Sequence, residues 1–151
     1  YGPWGRPDMA CWKFTQSILA GEPIEVFNHG HMQRDFTYID DITAGVLAVL
    51  DRPPPASADA APQRVLNIGG HAPVPLMDFI AELQAAIGLS ARLEMKPMQP
   101  GDVSATCADA TRLNALLGAS HRFTPLDRGL ARFVEWYRRY HGAAIPFSRA
   151  A

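Results

Sequence analysis

The segment Arg34-Asp35-Phe36-Thr37-Tyr38-Ile39-Asp40-Asp41 constrains this chain most, because an arginine enters a short alternating run and a doubled aspartate then opens an apolar stretch. Alternation with period two predicts a strand over Asp35 to Ile39, and Asp40 or Asp41 suits the cap of a helix running to Leu50. An arginine at a strand entry suits a site that grips a diphosphate, whose oxygens match the planar guanidinium fork. The complementary machinery is missing from the sequence. There is no Gly-x-Gly-x-x-Gly turn, and Lys13 and Lys96, the only lysines, have Met9 and Arg92 four places before them, so there is no Tyr-x-x-x-Lys pair. The pattern reads as the substrate-holding half of an enzyme whose catalytic half lies elsewhere, and the start at Tyr1 in a Gly-Pro turn reads as a cut from something longer.

The rest of the chain alternates helix and strand. Asp8 is placed to cap a helix from Met9 to Ala20, with Gly21 as its stop. A strand follows at Ile24 to Asn28, and His29-Gly30-His31 is expected to turn the chain. Arg52 to Pro62 reads as a surface loop, and Val65 to Ile68 as a strand buried on both faces of a parallel sheet, ending at Gly69-Gly70. Pro75 sits at the first turn of a helix from Leu76 to Ile87, with Gly88 as stop. Arg92 to Lys96 reads as a strand, Pro97 to Asp102 as a rigid loop, and Asp109 as the cap of a short helix closed by Gly118. Thr124-Pro125 starts the last helix, whose apolar stripe is Leu126, Leu130, Phe133, Val134 and Tyr137. Residues 142–151 read as a loose tail.

At 151 residues the chain can hold one domain with a useful core, and a net charge of −1 argues against general affinity for nucleic acid or anionic membrane. No run approaches a membrane-spanning length. Cys11, in a predicted helix, and Cys107, in a predicted strand, form no disulfide framework, which fits a reducing cytoplasm. His29 and His31 form a His-x-His pair without a third ligand, so no metal site is expected. Asp40 and Asp41 are better explained by capping and the helix dipole than by acid/base work. Arg112, Arg122, Arg128, Arg132, Arg138 and Arg139 read as a solvated helical face, because stacking aromatics are not interleaved with them.

Five segments in series carry a family resemblance. Tyr1-Gly2-Pro3-Trp4-Gly5-Arg6-Pro7-Asp8-Met9-Ala10, Arg34 to Asp41, Leu66-Asn67-Ile68-Gly69-Gly70, Gln99-Pro100-Gly101-Asp102-Val103 and Phe133-Val134-Glu135-Trp136-Tyr137 resemble the sugar-nucleotide epimerases of the extended short-chain dehydrogenase/reductase superfamily. The match is closest to the UDP-glucuronate 4-epimerases and runs from Tyr1 to about Tyr140. The resemblance implies an α/β fold: the C-terminal, substrate-binding part of a Rossmann-type enzyme, residues 1–141, with at least one strand belonging to a sheet that is not here. The N-terminal domain that binds NAD and carries the catalytic Tyr and Lys is expected to be absent. In the family, hydride leaves carbon 4 of the sugar for NAD and returns on the other face of a 4-keto intermediate.

The same resemblance assigns residues. Arg34 would contact a UDP phosphate; the residues alone favour a surface arginine paired with Asp35 or Asp40. Arg6 would meet the sugar carboxylate, since a buried unpaired carboxylate is costly; otherwise it braces Asp8. Gln99 and Asp102 would hold the ribose, against a plain Asx turn at Gly101-Asp102. Val26, Phe27 and Asn28 would line the uracil through backbone groups and the Phe27 ring. No catalytic residue is expected in this chain, no cofactor is expected to bind it alone, and a homodimer is expected only of a full-length form. A UDP-glucuronate decarboxylase, a dehydratase, a neutral-sugar epimerase, a free-standing binding module or a decayed gene product are the alternatives. The helix Ile42 to Leu50 and the strand Val65 to Ile68 are expected to expose apolar faces.

Overall fold

A computed structural model describes residues 1–56, 61–118 and 123–142. Part of the 52–62 loop, His121, Arg122 and the tail from residue 143 onward lie outside the described residues. The fold is α/β, with helices α1 (Ala10–Ala20), α2 (Ile39–Leu50), α3 (Leu76–Ile87), α4 (Thr111–Leu117) and α5 (Leu126–Tyr140), and strands β1 (Pro23–Val26), β2 (Gln33–Arg34), β3 (Val74–Pro75) and β4 (Arg92–Met95).

The core is a layer of three helices on one strand pair. In α1, Cys11, Thr15 and Ile18 recur on one face and are buried. Thr15 satisfies its hydroxyl on the Cys11 carbonyl at 2.8 Å. In β1 the alternation works as period two demands, with Ile24 and Val26 inward. β1 pairs in parallel with β4, Pro23 opposite Arg92 and Val26 opposite Met95. A parallel pair needs a crossover, and α3 lies within it, burying Phe79, Ile80, Leu83 and Ile87. Leu130, Phe133, Val134 and Tyr137 of α5 complete the same cluster. Gly21 and Gly88 end their helices in the left-handed conformation, at φ 71° and 76°.

Several expected strands are shorter than predicted or absent. The alternating run begins earlier and stops sooner: β2 is Gln33–Arg34, and residues 35–38 are irregular before α2 starts at Ile39. β2 pairs with β3 in antiparallel fashion, not with β1, and Gln33 adds a bridge to Ala105. β1 ends at Val26, where Phe27–Gly30 forms a 3-10 turn with Asn28 and His29 at positive φ. His29 therefore lies within that turn and His31 directly follows it. Val65 to Ile68 is irregular and makes no sheet pairing among the described residues. Cys107 likewise lies in an irregular segment. Strand pairing is non-local, so a run of β-formers without a neighbour stays unpaired.

The aspartates also act differently from expectation. Asp8 does not cap α1; it pairs with Arg6. Asp40 and Asp41 lie inside the first turn of α2, whose N-cap is Tyr38. Their charges still favour that helix end through the dipole. The Asp41 carboxylate accepts from the Thr124 N–H at 2.8 Å and the Thr124 hydroxyl at 2.9 Å, which fixes the approach to α5. Asp109 stands one residue before Ala110, the N-cap of α4, and still supports that end by accepting from the Thr111 N–H at 3.0 Å.

An aromatic cluster closes one end of the helical layer. Trp12 meets Trp136 and Tyr137 edge-on at 5.5 Å and 5.2 Å, and Trp4 meets Trp136 at 5.2 Å. Such edge-to-face pairs each add to simple burial.

Candidate functional site

Arg34 is held in place by the segment around it. Phe36, two residues on, stacks on the buried Phe79 ring at 4.2 Å and pins the chain to the core. Asp35 ties two remote segments together: its Oδ2 accepts from the Ala108 N–H at 2.9 Å and the His71 N–H at 3.1 Å. The backbone of Gln33 donates to the Ser104 carbonyl and accepts from Thr106, so the chain after the 97–103 loop is anchored alongside β2. The Arg34 guanidinium donates through Nη1 to the Gln33 carbonyl and through Nη2 to Asp102 Oδ1, each at 2.8 Å.

Two cavities meet at this arginine. The larger, about 640 Å³, is lined by Phe27, Arg34, Gln99 and Asp102, with Met9, Ala10, Lys13 and Ser17 from α1. The smaller, about 410 Å³, is lined by Arg6 and Arg34 together with Tyr1, Met9, Trp12, Thr37 and Thr106. Volumes of this order suit a ligand of nucleotide size. Arg34 thus shares a cavity with Arg6 on one side and with Gln99 and Asp102 on the other.

The remaining expected residues are placed less directly. Arg6 is largely exposed and forms a two-point pair with Asp8, Nε to Oδ1 at 3.1 Å and Nη2 to Oδ2 at 2.5 Å. That hydrogen bond holds the Asp8 carboxyl below its ordinary value. The Val26 side chain is buried in the core, and its carbonyl accepts from the Lys96 N–H at 2.9 Å. Asn28 donates its amide to the His31 carbonyl at 2.8 Å, bracing its own turn. Of this trio only Phe27 lines the larger cavity.

Lys13 is a cavity-lining cation that the sequence reading passed over. Met9, Lys13 and Ser17 are spaced four apart, one face of α1, and all three line the larger cavity. That spacing was the available signal.

The one glycine pair at a turn, Gly69-Gly70, is closed: a Cβ at Gly69 would lie 2.4 Å from the Ala108 Cβ, and one at Gly70 would lie 3.1 Å from Asp35 Oδ1. A carboxylate against both glycines would repel a pyrophosphate. Among the described residues there is no cluster that could hold a metal ion, and no helix long and apolar enough to cross a membrane.

Residues 1–69 match the NAD dependent epimerase/dehydratase family. An uncharacterised 37.6 kDa protein of Escherichia coli O111:H- is 46% identical over 93% of this chain and 45% of its own length. A probable UDP-glucuronate 4-epimerase of Rhizobium meliloti (strain 1021) is 43% identical over 93% of this chain and 46% of its own. The crystal structure of the Bacillus cereus UDP-glucuronic acid 4-epimerase, in complex with UDP-glucuronic acid and NAD, superposes with a TM-score of 0.79 at 32% identity, covering 93% of this chain and 43% of that one. The chain spans less than half the length of these relatives. A sequence similar over nearly all of its length to UDP-glucuronate 4-epimerases, in an α/β fold that superposes on theirs, belongs to the NAD dependent epimerase/dehydratase family.

Proposed function

We propose that residues 1–141 form a sugar-nucleotide-binding region that serves an NAD-dependent epimerase acting on UDP-glucuronate, in the cytoplasm. The observation that carries this reading is the position of Arg34, which lines both cavities and so can hold a diphosphate between a nucleoside on one side and a sugar on the other. Gln99, Asp102 and Phe27 serve the nucleoside in the larger cavity. Arg6 serves the sugar in the smaller one, exchanging Asp8 for the sugar carboxylate. NAD is bound in the Bacillus cereus structure, and the sequence of this chain carries neither a Gly-x-Gly-x-x-Gly turn nor a Tyr-x-x-x-Lys pair, so this chain by itself is expected to bind the substrate without turning it over.

Calorimetric titration with UDP tests the reading. The wild-type chain should bind UDP, and Arg34→Ala should weaken binding by roughly tenfold to a hundredfold, the worth of one or two charge-assisted hydrogen bonds. Undiminished affinity in that variant would remove Arg34 from the phosphate site. A neutral hexose is the second reading, favoured by the pairing of Arg6 with Asp8 in this structure. Comparing UDP-glucuronate with UDP-glucose decides between them. If Arg6 reads the carboxylate, Arg6→Ala should bring the two affinities together; if the hexose is neutral, the ratio should not move.

A further inference from the structure

We propose that the ion pair between Arg34 and Asp102 is a selectivity filter that admits phosphate joined to a ribose and disfavours a free inorganic phosphate or pyrophosphate. The inference rests on the sugar-nucleotide reading above and says how that site discriminates. Asp102 reaches Arg34 from 68 residues further along the chain, and its Oδ1 accepts from Nη2 at 2.8 Å. The same oxygen accepts from the Val103 N–H at 2.8 Å, which fixes the carboxylate in this orientation. The two side chains are only 26% and 34% exposed, so the pair is partly withdrawn from water. Both line the larger cavity.

An incoming phosphate needs the guanidinium edge that Asp102 holds. Taking it leaves the Asp102 carboxylate without its cation and beside a new negative charge. Pyrophosphate brings that carboxylate further negative charge and no vicinal diol, so the exchange is unfavourable for Asp102. A nucleotide brings a vicinal diol with two O–H donors, and a carboxylate is an acceptor with room for both. Oδ2 of Asp102 accepts no hydrogen bond among the described residues, which leaves that capacity open. One internal pair is then replaced by two ligand contacts. Discrimination comes from the repulsive element as much as from the attractive one.

The test uses the 151-residue chain and two probes, UDP and inorganic pyrophosphate, titrated at one pH and ionic strength. The wild type should prefer UDP strongly. Asp102→Asn should bind pyrophosphate about twofold to fivefold tighter, the scale of a partly exposed ion pair, and UDP more weakly. Asp102→Ser, which keeps an acceptor for the Val103 N–H, should behave the same way if the amide disturbs the loop. Glu22→Gln removes the same unit charge from the same cavity without releasing Arg34, so it should leave pyrophosphate affinity nearly unchanged. Unchanged or weaker pyrophosphate binding in both Asp102 variants, or an equal gain in Glu22→Gln, overturns the filter. Arg34→Ala separates the two ideas: UDP affinity retained in that variant defeats the phosphate reading itself, whereas affinity lost there with no pyrophosphate gain at Asp102 defeats only the filter.

Discussion

At the scale of single residues, Asp35 shows how a side chain beside the site can govern it. Its carboxylate accepts from His71 and Ala108, 36 and 73 residues away, and Oδ1 is buried without a partner. Asp35→Ala should lower stability by about 2–3 kcal/mol, because two backbone donors lose a charged acceptor; urea melts measure it. Cys11 makes a second prediction. Burial pushes its thiol from an ordinary 9.0 up to about 12. The unfolded thiol ionises first as pH rises, so the stabilising difference is complete below about pH 9 and is lost towards pH 12. Cys11→Ala should flatten the stability slope in that window, and a thiol reagent at pH 8 should modify the exposed Cys107 well before Cys11. Neither role was legible in the sequence. Asp35 read only as a partner for Arg34, and Asp41 read as a cap although it reaches Thr124, because both bonds span dozens of residues.

At the scale of elements, the helices and the strands β1 and β4 were readable, whereas β2, β3 and the pairing of the strands were not. Gly21, Gly88 and Gly118 mark the ends of α1, α3 and α4 in the sequence as in the structure, and the α5 stripe at Leu130, Phe133, Val134 and Tyr137 is the buried one. Stop signals and 3.6-residue periodicity are local. Strand partners are not: nothing near Pro23 announces β4. Gly129 illustrates the difference within one helix. An alanine in a helix interior usually gains about 1 kcal/mol over glycine. At Gly129, however, a Cβ would lie 2.0 Å from the Tyr1 hydroxyl oxygen and 2.7 Å from the ring. Gly129→Ala should therefore lower the thermal midpoint, and pairing it with Tyr1→Ala should recover part of the loss.

At the scale of the whole molecule, one side is finished and the other is not. Val46, Leu47 and Leu50 of α2 are 52%, 56% and 73% exposed, and Val65 is 77% exposed, as expected for these two segments. The Ile68 side chain packs near Gly45, so the segment lies along α2 without covering its outer face. A molecule with this much apolar surface should associate as concentration rises; a dilution series in the ultracentrifuge should show mass falling with concentration, and a strictly monomeric series with a cooperative melt would count against it. The candidate site was legible as residue types on two loops, while their meeting at Arg34 depends on β2, β3 and the 104–108 segment, none of which sequence alone could assemble. The aromatic end of the fold has a practical consequence. All three tryptophans, Trp4, Trp12 and Trp136, belong to one contact cluster, and Trp12 also lines the smaller cavity. Their ultraviolet emission is therefore a single built-in optical probe, whose intensity should change when that cavity fills, without any attached dye.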